Sequence, residues 1–159
     1  MFTTIKSDWY FIIAATFVFI AGLTATALDI IFLQDSTFRF GIINLIGLLL
    51  GLSGLSIRLL ARRALGKQFS YALRTIPGHR LVTSGIYRHI RHPAYTGDLL
   101  FWFGVTLIFS SLIGFIIMML LIPCFLYRIS IEEKLLVEKL GDEYKNYIKT
   151  SNKLIPLLF

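Results

Sequence analysis

"LLFWFGVTLIFSSLIGFIIMMLLIPCFLY", residues 99–127, runs 29 residues without a charge. As one helix it would be about 43 Å long at 1.5 Å per residue, more than a hydrocarbon core of about 30 Å needs. Ser110, Ser111 and Gly114 lie near its middle, and Pro93 offers a helix start just upstream. The stretch therefore reads as a hairpin of two spanning arms, Ala94 to Ser110 and Leu112 to Arg128. Each arm has roughly 17 residues, the short end of the spanning range.

The rest of the chain agrees with a bilayer as solvent. Of its 159 residues 56% are hydrophobic, above the roughly 45–50% apolar content of soluble domains. Trp9 to Leu28 and Phe40 to Ile57 are two more uncharged runs, of twenty and eighteen residues. The first is too long for the apolar core of a cleavable signal peptide, and no small-residue cleavage site is followed by a soluble domain. The fold class expected is thus an all-α integral membrane protein with four transmembrane helices. The lone Cys124 excludes an intrachain disulfide and a cysteine metal cluster.

Charge sets the orientation. The net charge is +7, and the segment Arg58 to Arg91 is rich in Lys and Arg and contains no acid. Short loops rich in Lys and Arg stay cytoplasmic. Both termini are then expected on the cytoplasmic side, with the basic loop and the tail. The charges are tied to membrane edges, which points to anionic lipid and away from nucleic acid. From Ile129 to Thr150, Ile131, Leu135, Leu136, Leu140, Tyr144, Tyr147 and Ile148 recur at helical spacing, predicting a C-terminal amphipathic helix. One domain results: two spans (1–60), a basic loop (61–92), a helical hairpin (93–128) and the tail (129–159).

At the doorstep of the hairpin stands "YRHIRHPAYTG" (87–97), with Arg88, His89, Arg91 and His92 around a proline. Pro93 suits the first helical turn, where its missing N–H costs nothing. The free N–H groups and dipole of that helix favour an anion in front of it. Tyr87 and Tyr95 offer aromatic faces for a flat ring or a cation. Further along, "RISIEE" (128–133) places Arg128 and Glu132 at i and i+4 on one helix face. Such a set suits a ligand with an anionic end, a planar ring and a positive centre, all of which S-adenosylmethionine has. A dinucleotide phosphate matches the first two features. Taken singly, Arg88, His89 and Arg91 read as orientation charges, and Asp98 reads as a partner for a loop arginine.

The order "GHRLVTSGIYRHIRHPAYTG" (78–97), an apolar hairpin, "RISIEE" and "GDEYKNYIKTSNKLIPLLF" (141–159) resembles the isoprenylcysteine carboxyl methyltransferases and the wider group with the phospholipid N-methyltransferases. The resemblance covers about the last 80 residues. It implies that His79, Arg80, Leu81, Val82, Tyr87, His92, Pro93, Ala94, Tyr95 and Glu132 hold S-adenosylmethionine and that Arg128 faces the acceptor. Arg128 and Glu132 are then the catalytic pair, and no metal is implied. A lipophilic acceptor would enter from the bilayer, the donor from the cytoplasm. The resemblance implies O-methylation of the carboxylate of an isoprenylcysteine-type acceptor, with a phospholipid amine as the alternative. "TGDLL" (96–100) is also similar to membrane sterol reductases that bind NADPH.

Overall fold

The computed structural model of the chain describes residues 6–33, 40–66 and 81–155. Among the described residues six α-helices carry the fold, in chain order α1 (Lys6–Leu28), α2 (Ile42–Leu65), α3 (Pro93–Ile108), α4 (Leu112–Met119), α5 (Leu121–Leu140) and α6 (Asp142–Thr150). A π-helical turn, Asp29–Leu33, extends α1, and a 3₁₀ turn, Gly85–Arg88, precedes α3. No strand occurs among the described residues, only one isolated parallel bridge between Ile90 and Asn152.

Three helices are long and apolar enough to cross a membrane among the described residues: Trp9–Phe32, Ile42–Leu65 and the α4–α5 rod Leu112–Leu140. Large apolar side chains stand exposed on them, among them Phe17 on α1, Ile42 and Leu49 on α2, and Leu112 on α4. Helices apolar all round need hydrocarbon or protein on every face. At 16 residues, α3 is only about 24 Å long.

The tightest seam joins α2 to α3. Gly47, Gly51 and Gly54 on α2 face Gly97 and Gly104 on α3, and all five are buried. A Cβ on Gly54 would lie 2.4 Å from the Phe101 nitrogen, and one on Gly104 would lie 2.4 Å from the Gly51 nitrogen. Backbone thus meets backbone, the arrangement small residues allow between membrane helices. The α2–α3 pair is clasped at one end by Asn44. Its amide donates to the Ile108 carbonyl (2.7 Å) and to Ser110 Oγ (2.8 Å), while its Oδ1 accepts from the Gly41 N–H (2.7 Å). Leucine at Asn44 is expected to lower stability by about 2 kcal/mol, the cost of losing the buried amide's three bonds and leaving the half-buried Ile108 carbonyl without it. A thermal melt in detergent checks this; an unchanged Tm would contradict it.

The uncharged run does fold back on itself. Ser110 takes a left-handed φ of 52°, and Ser111 caps α4 by accepting from the Gly114 N–H (3.0 Å). Ser111 Oγ also donates to the buried carboxylate of Asp29, which ties the turn to the end of α1. On the other side of that contact, Gly114 lies so close to Thr26 that a Cβ would come within 2.1 Å of its Oγ1.

Helix bounds depart from the sequence expectation in three places. α2 runs on to Leu65, past both the end of its uncharged run at Ile57 and the expected boundary at residue 60, so Arg58, the first residue of the basic segment, is helical; it pairs with Asp98 of α3. The rod after the turn is interrupted at Leu120, where Pro123 lacks the N–H that would bond Met119 and its ring crowds that carbonyl. Helix α5 then continues without interruption from Leu121 to Leu140, through the position where a separate tail helix was expected to begin. The break falls instead at Gly141, whose φ of 57° suits glycine.

Candidate functional site

The continuity of α5 is what builds the site. It carries residues from the apolar rod directly to the mouth of α3, so Arg128, Glu132 and Glu133 are fixed by one rigid helix. Opposite them, His92 and Pro93 open α3, with Pro93 at the first helical position. Tyr95 lies on the first turn of α3, and its ring stacks between His92 (centroids 5.8 Å apart) and Phe125 of α5 (5.2 Å).

The polar groups form one connected network. Tyr95 Oη donates to Glu132 Oε2 (2.9 Å) and accepts from Arg128 Nε (2.8 Å). Arg128 is 3% exposed, and its guanidinium lies 4.6 Å from the centroid of the Phe11 ring of α1, a cation–π arrangement. Three helices therefore hold one cation. The Glu132 side chain keeps 31% of its surface exposed, against 16% for Glu133, 8% for Arg91 and 4% for His92. Its second acidic neighbour points elsewhere: Glu133 Oε1 accepts from Arg91 Nε (2.8 Å) and lies 3.2 Å from His92 Nε2.

The floor of the site is the C-terminal segment. The Arg91 N–H donates to the Asn152 carbonyl (2.8 Å), the His92 N–H to the Lys153 carbonyl (3.2 Å), and Asn152 N–H returns a bond to His89 (3.0 Å). Thr96 Oγ1 donates to the Leu154 carbonyl (2.8 Å). The Arg91 guanidinium also bonds the carbonyls of Ile148 and Ser151. On α6, Tyr147 Oη donates to the Tyr87 carbonyl. Burial pushes the Tyr147 hydroxyl up to about 12 and raises those of Tyr87 and Tyr144 further, so all three remain neutral donors at physiological pH.

Of the residues singled out in the sequence, His92, Tyr95, Arg128 and Glu132 are brought into this network. Tyr87 is buried beside it, joined to α6. Pro93 is buried and Ala94 half-buried on the first turn of α3, and Leu81 and Val82 are half-buried in the extended segment before the 3₁₀ turn. His79 and Arg80 lie outside the described residues. Arg88 and His89 are exposed, as orientation charges would be. Arg91 is not one of them: its side chain is 8% exposed and bound to Glu133. Reading the sequence missed Glu133 and the strap Ser151–Ile155. The doubled acid "EE" was the only available signal for Glu133, and no local pattern announces that Asn152 pairs with Ile90.

Residues 42–143 match the phospholipid methyltransferase family, a stretch that includes the whole α3–α5 network. The chain belongs to that family. The chain is 34% identical over 96 residues to a protein-S-isoprenylcysteine O-methyltransferase of Schizosaccharomyces pombe, covering 58% of this chain and 41% of that one. It is 27% identical over 159 residues to a probable protein-S-isoprenylcysteine O-methyltransferase of Oryza sativa subsp. indica, covering 98% and 81%. The fold is that of the eukaryotic intramembrane Ras methyltransferase, an isoprenylcysteine carboxyl methyltransferase, with a TM-score of 0.75 and 24% identity over 90% of this chain and 52% of that one. The chain thus spans about half of that structure and less than half of the fission-yeast relative.

Proposed function

We propose that the protein is an integral membrane methyltransferase that uses S-adenosylmethionine and methylates the carboxylate of a lipophilic, isoprenylcysteine-type acceptor. The observation that carries this reading is the Tyr95 hydroxyl seated between Arg128 and Glu132. It joins the mouth of a proline-started helix to a cation and an anion placed one helical turn apart.

The residues present fit the donor. Glu132 offers a partly exposed carboxylate beside aromatic faces, which suits a positive centre. The α3 mouth and the basic residues near it suit a carboxylate. His92, Pro93, Ala94, Tyr95 and Glu132 would hold the donor, with Leu81, Val82 and Tyr87 behind them and His79 and Arg80 from the preceding segment. When bound, S-adenosylmethionine supplies a methyl carbon already activated by its sulfonium.

The acceptor side needs orientation more than proton transfer. A carboxylate has a reference pKa near 3.5 and is ionised at neutral pH, so no general base is required. Arg128 would orient it through charge-assisted hydrogen bonds, at the level where polar groups meet the apolar rod. The chain's part is to hold the reactants in line and keep water out. In the topology we propose, α1, α2, α3 and the α4–α5 rod are four spans. Both termini and the site lie on the cytoplasmic side, and α3 is shielded along its glycine seam by α2.

The family match also favours a second reading, methylation of a phospholipid amine. Such an acceptor must lose a proton before attack, and Glu132 or His92 would have to take it. Incubating the purified protein with methyl-labelled S-adenosylmethionine and N-acetyl-S-farnesylcysteine is expected to give label that mild base releases, as an ester does. Base-resistant label in phosphatidylethanolamine-containing vesicles would favour the amine reading. Absence of transfer to either, with stabilisation by NADPH instead, would overturn both.

A further inference from the structure

Glu132 and Glu133 are adjacent on α5, so their side chains leave the helix about 100° apart. They meet the two nitrogens of one buried imidazole. The His92 side chain is 4% exposed; its Nε2 lies 3.2 Å from Glu133 Oε1, within hydrogen-bond reach, and its Nδ1 lies 3.9 Å from Glu132 Oε2, beyond it. Glu133 is crowded by cationic and donor groups, with Arg91 Nε at 2.8 Å and Lys153 Nζ at 4.0 Å as well as His92. A carboxylate accepts only, so an imidazole nitrogen that bonds it must carry the hydrogen. Glu132, by contrast, is bonded by a neutral tyrosine and is the more exposed of the pair.

We propose that Glu133 is a positioning residue: it holds the Nε2–H of His92 and thereby turns Nδ1 toward the Glu132 side, where the donor binds. Through Arg91 the same carboxylate is linked to the carbonyls of Ile148 and Ser151, so the ring's orientation is set by α5 and the C-terminal strap together. Which nitrogen of a histidine faces a ligand is fixed by the bond the other nitrogen makes. This assignment rests on the proposed function for what Nδ1 meets, but not for the state of the ring.

The test reads the ring first. The chain has three histidines, so a nitrogen-15 spectrum of histidine-labelled protein in detergent resolves His92 once a His92→Gln sample identifies its signals. Nε2 is expected to be protonated in the native protein, and addition of S-adenosylmethionine is expected to move the Nδ1 resonance far more than the Nε2 resonance. An unprotonated Nε2 overturns the proposal without any variant having to fold. Glu133→Ala is expected to release the ring into a mixture of tautomers and raise the KM for the donor at least tenfold, with kcat within about threefold. Glu133→Gln, whose amide oxygen still accepts from Nε2, is expected to keep the native ring signature and restore most of that KM. An unchanged ring signature in Glu133→Ala, or a Glu133→Gln protein that behaves like it, would also overturn the assignment. If the native protein shows the Nε2–H but ignores S-adenosylmethionine, Glu133 keeps its role and the donor reading fails.

Discussion

Arg128→Gln is expected to lower methyl transfer by about two to three orders of magnitude while changing donor affinity by less than about fivefold. The side chain is 3% exposed and is held by Tyr95 of α3 and the Phe11 ring of α1. Hydrogen bonds to a charged group are worth about 1.5–3 kcal/mol each, and each 1.36 kcal/mol is tenfold in rate. In the proposed function, two such bonds to the acceptor carboxylate amount to about 3–6 kcal/mol, or roughly 10²–10⁴ in rate; the glutamine amide can still donate one bond, which places the expected loss at the lower two to three orders. Donor binding is expected to change little because Glu132 can keep its bond from the Tyr95 hydroxyl when the Arg128 Nε that also bonds that hydroxyl is replaced. Lysine at the same position is expected to recover little, since a point charge lacks the planar fork. Initial rates at saturating donor, set beside the donor's Kd, separate the two effects. Equal losses in both would place Arg128 on the donor side.

Gly54→Ala is expected to destabilise the protein by about 3 kcal/mol, and Gly51→Ala on the same helix to be harmless or mildly stabilising. The added Cβ at Gly54 would sit 2.4 Å from the Phe101 nitrogen and 2.6 Å from the Gly97 oxygen. Both are backbone atoms of α3 and cannot swing aside, so the helices must part. Overpacking typically costs about 1–3 kcal/mol, and the upper end applies where backbone is the obstacle. At Gly51 the nearest atom is the Phe101 oxygen at 4.0 Å, ordinary van der Waals contact. There alanine gains its helical advantage of about 1 kcal/mol over glycine. Melting temperatures of the two variants in one detergent decide it. Equal shifts would mean the glycine seam is not where α2 and α3 close.

The apolar run at 99–127 carried its own fold-back signal, because 29 uncharged residues exceed one span and Ser110, Ser111 and Gly114 stand near the middle. Pro93 likewise marked the start of α3, and the spacing of Arg128 and Glu132 put them on one face before any coordinates. What local pattern could not supply was the end of α5. Apolar periodicity from 129 to 150 continues through Gly141, and only the left-handed turn there shows that two helices share it. The strap is a tertiary feature: Asn152 pairs with Ile90 across 62 positions, a pairing that neither segment's composition specifies. Asp98 was legible as half of an ion pair, but its partner Arg58 sits on α2 because that helix runs two turns further than its uncharged core. Glu133 was hidden for a different reason. Two adjacent carboxylates look alike in sequence, and only the roughly 100° between them separates the one bonded by Tyr95 from the one beside His92 and Arg91.

Titrating S-adenosylmethionine into detergent-purified protein by calorimetry, for the native chain and for Glu132→Ala, tests the donor site most directly. The native protein is expected to bind in the micromolar range, and Glu132→Ala at least about tenfold more weakly, as loss of a charged contact of about 1.5–3 kcal/mol requires. No heat of binding from the native protein, or the same affinity in both, would contradict a donor held between the mouth of α3 and the α5 carboxylate.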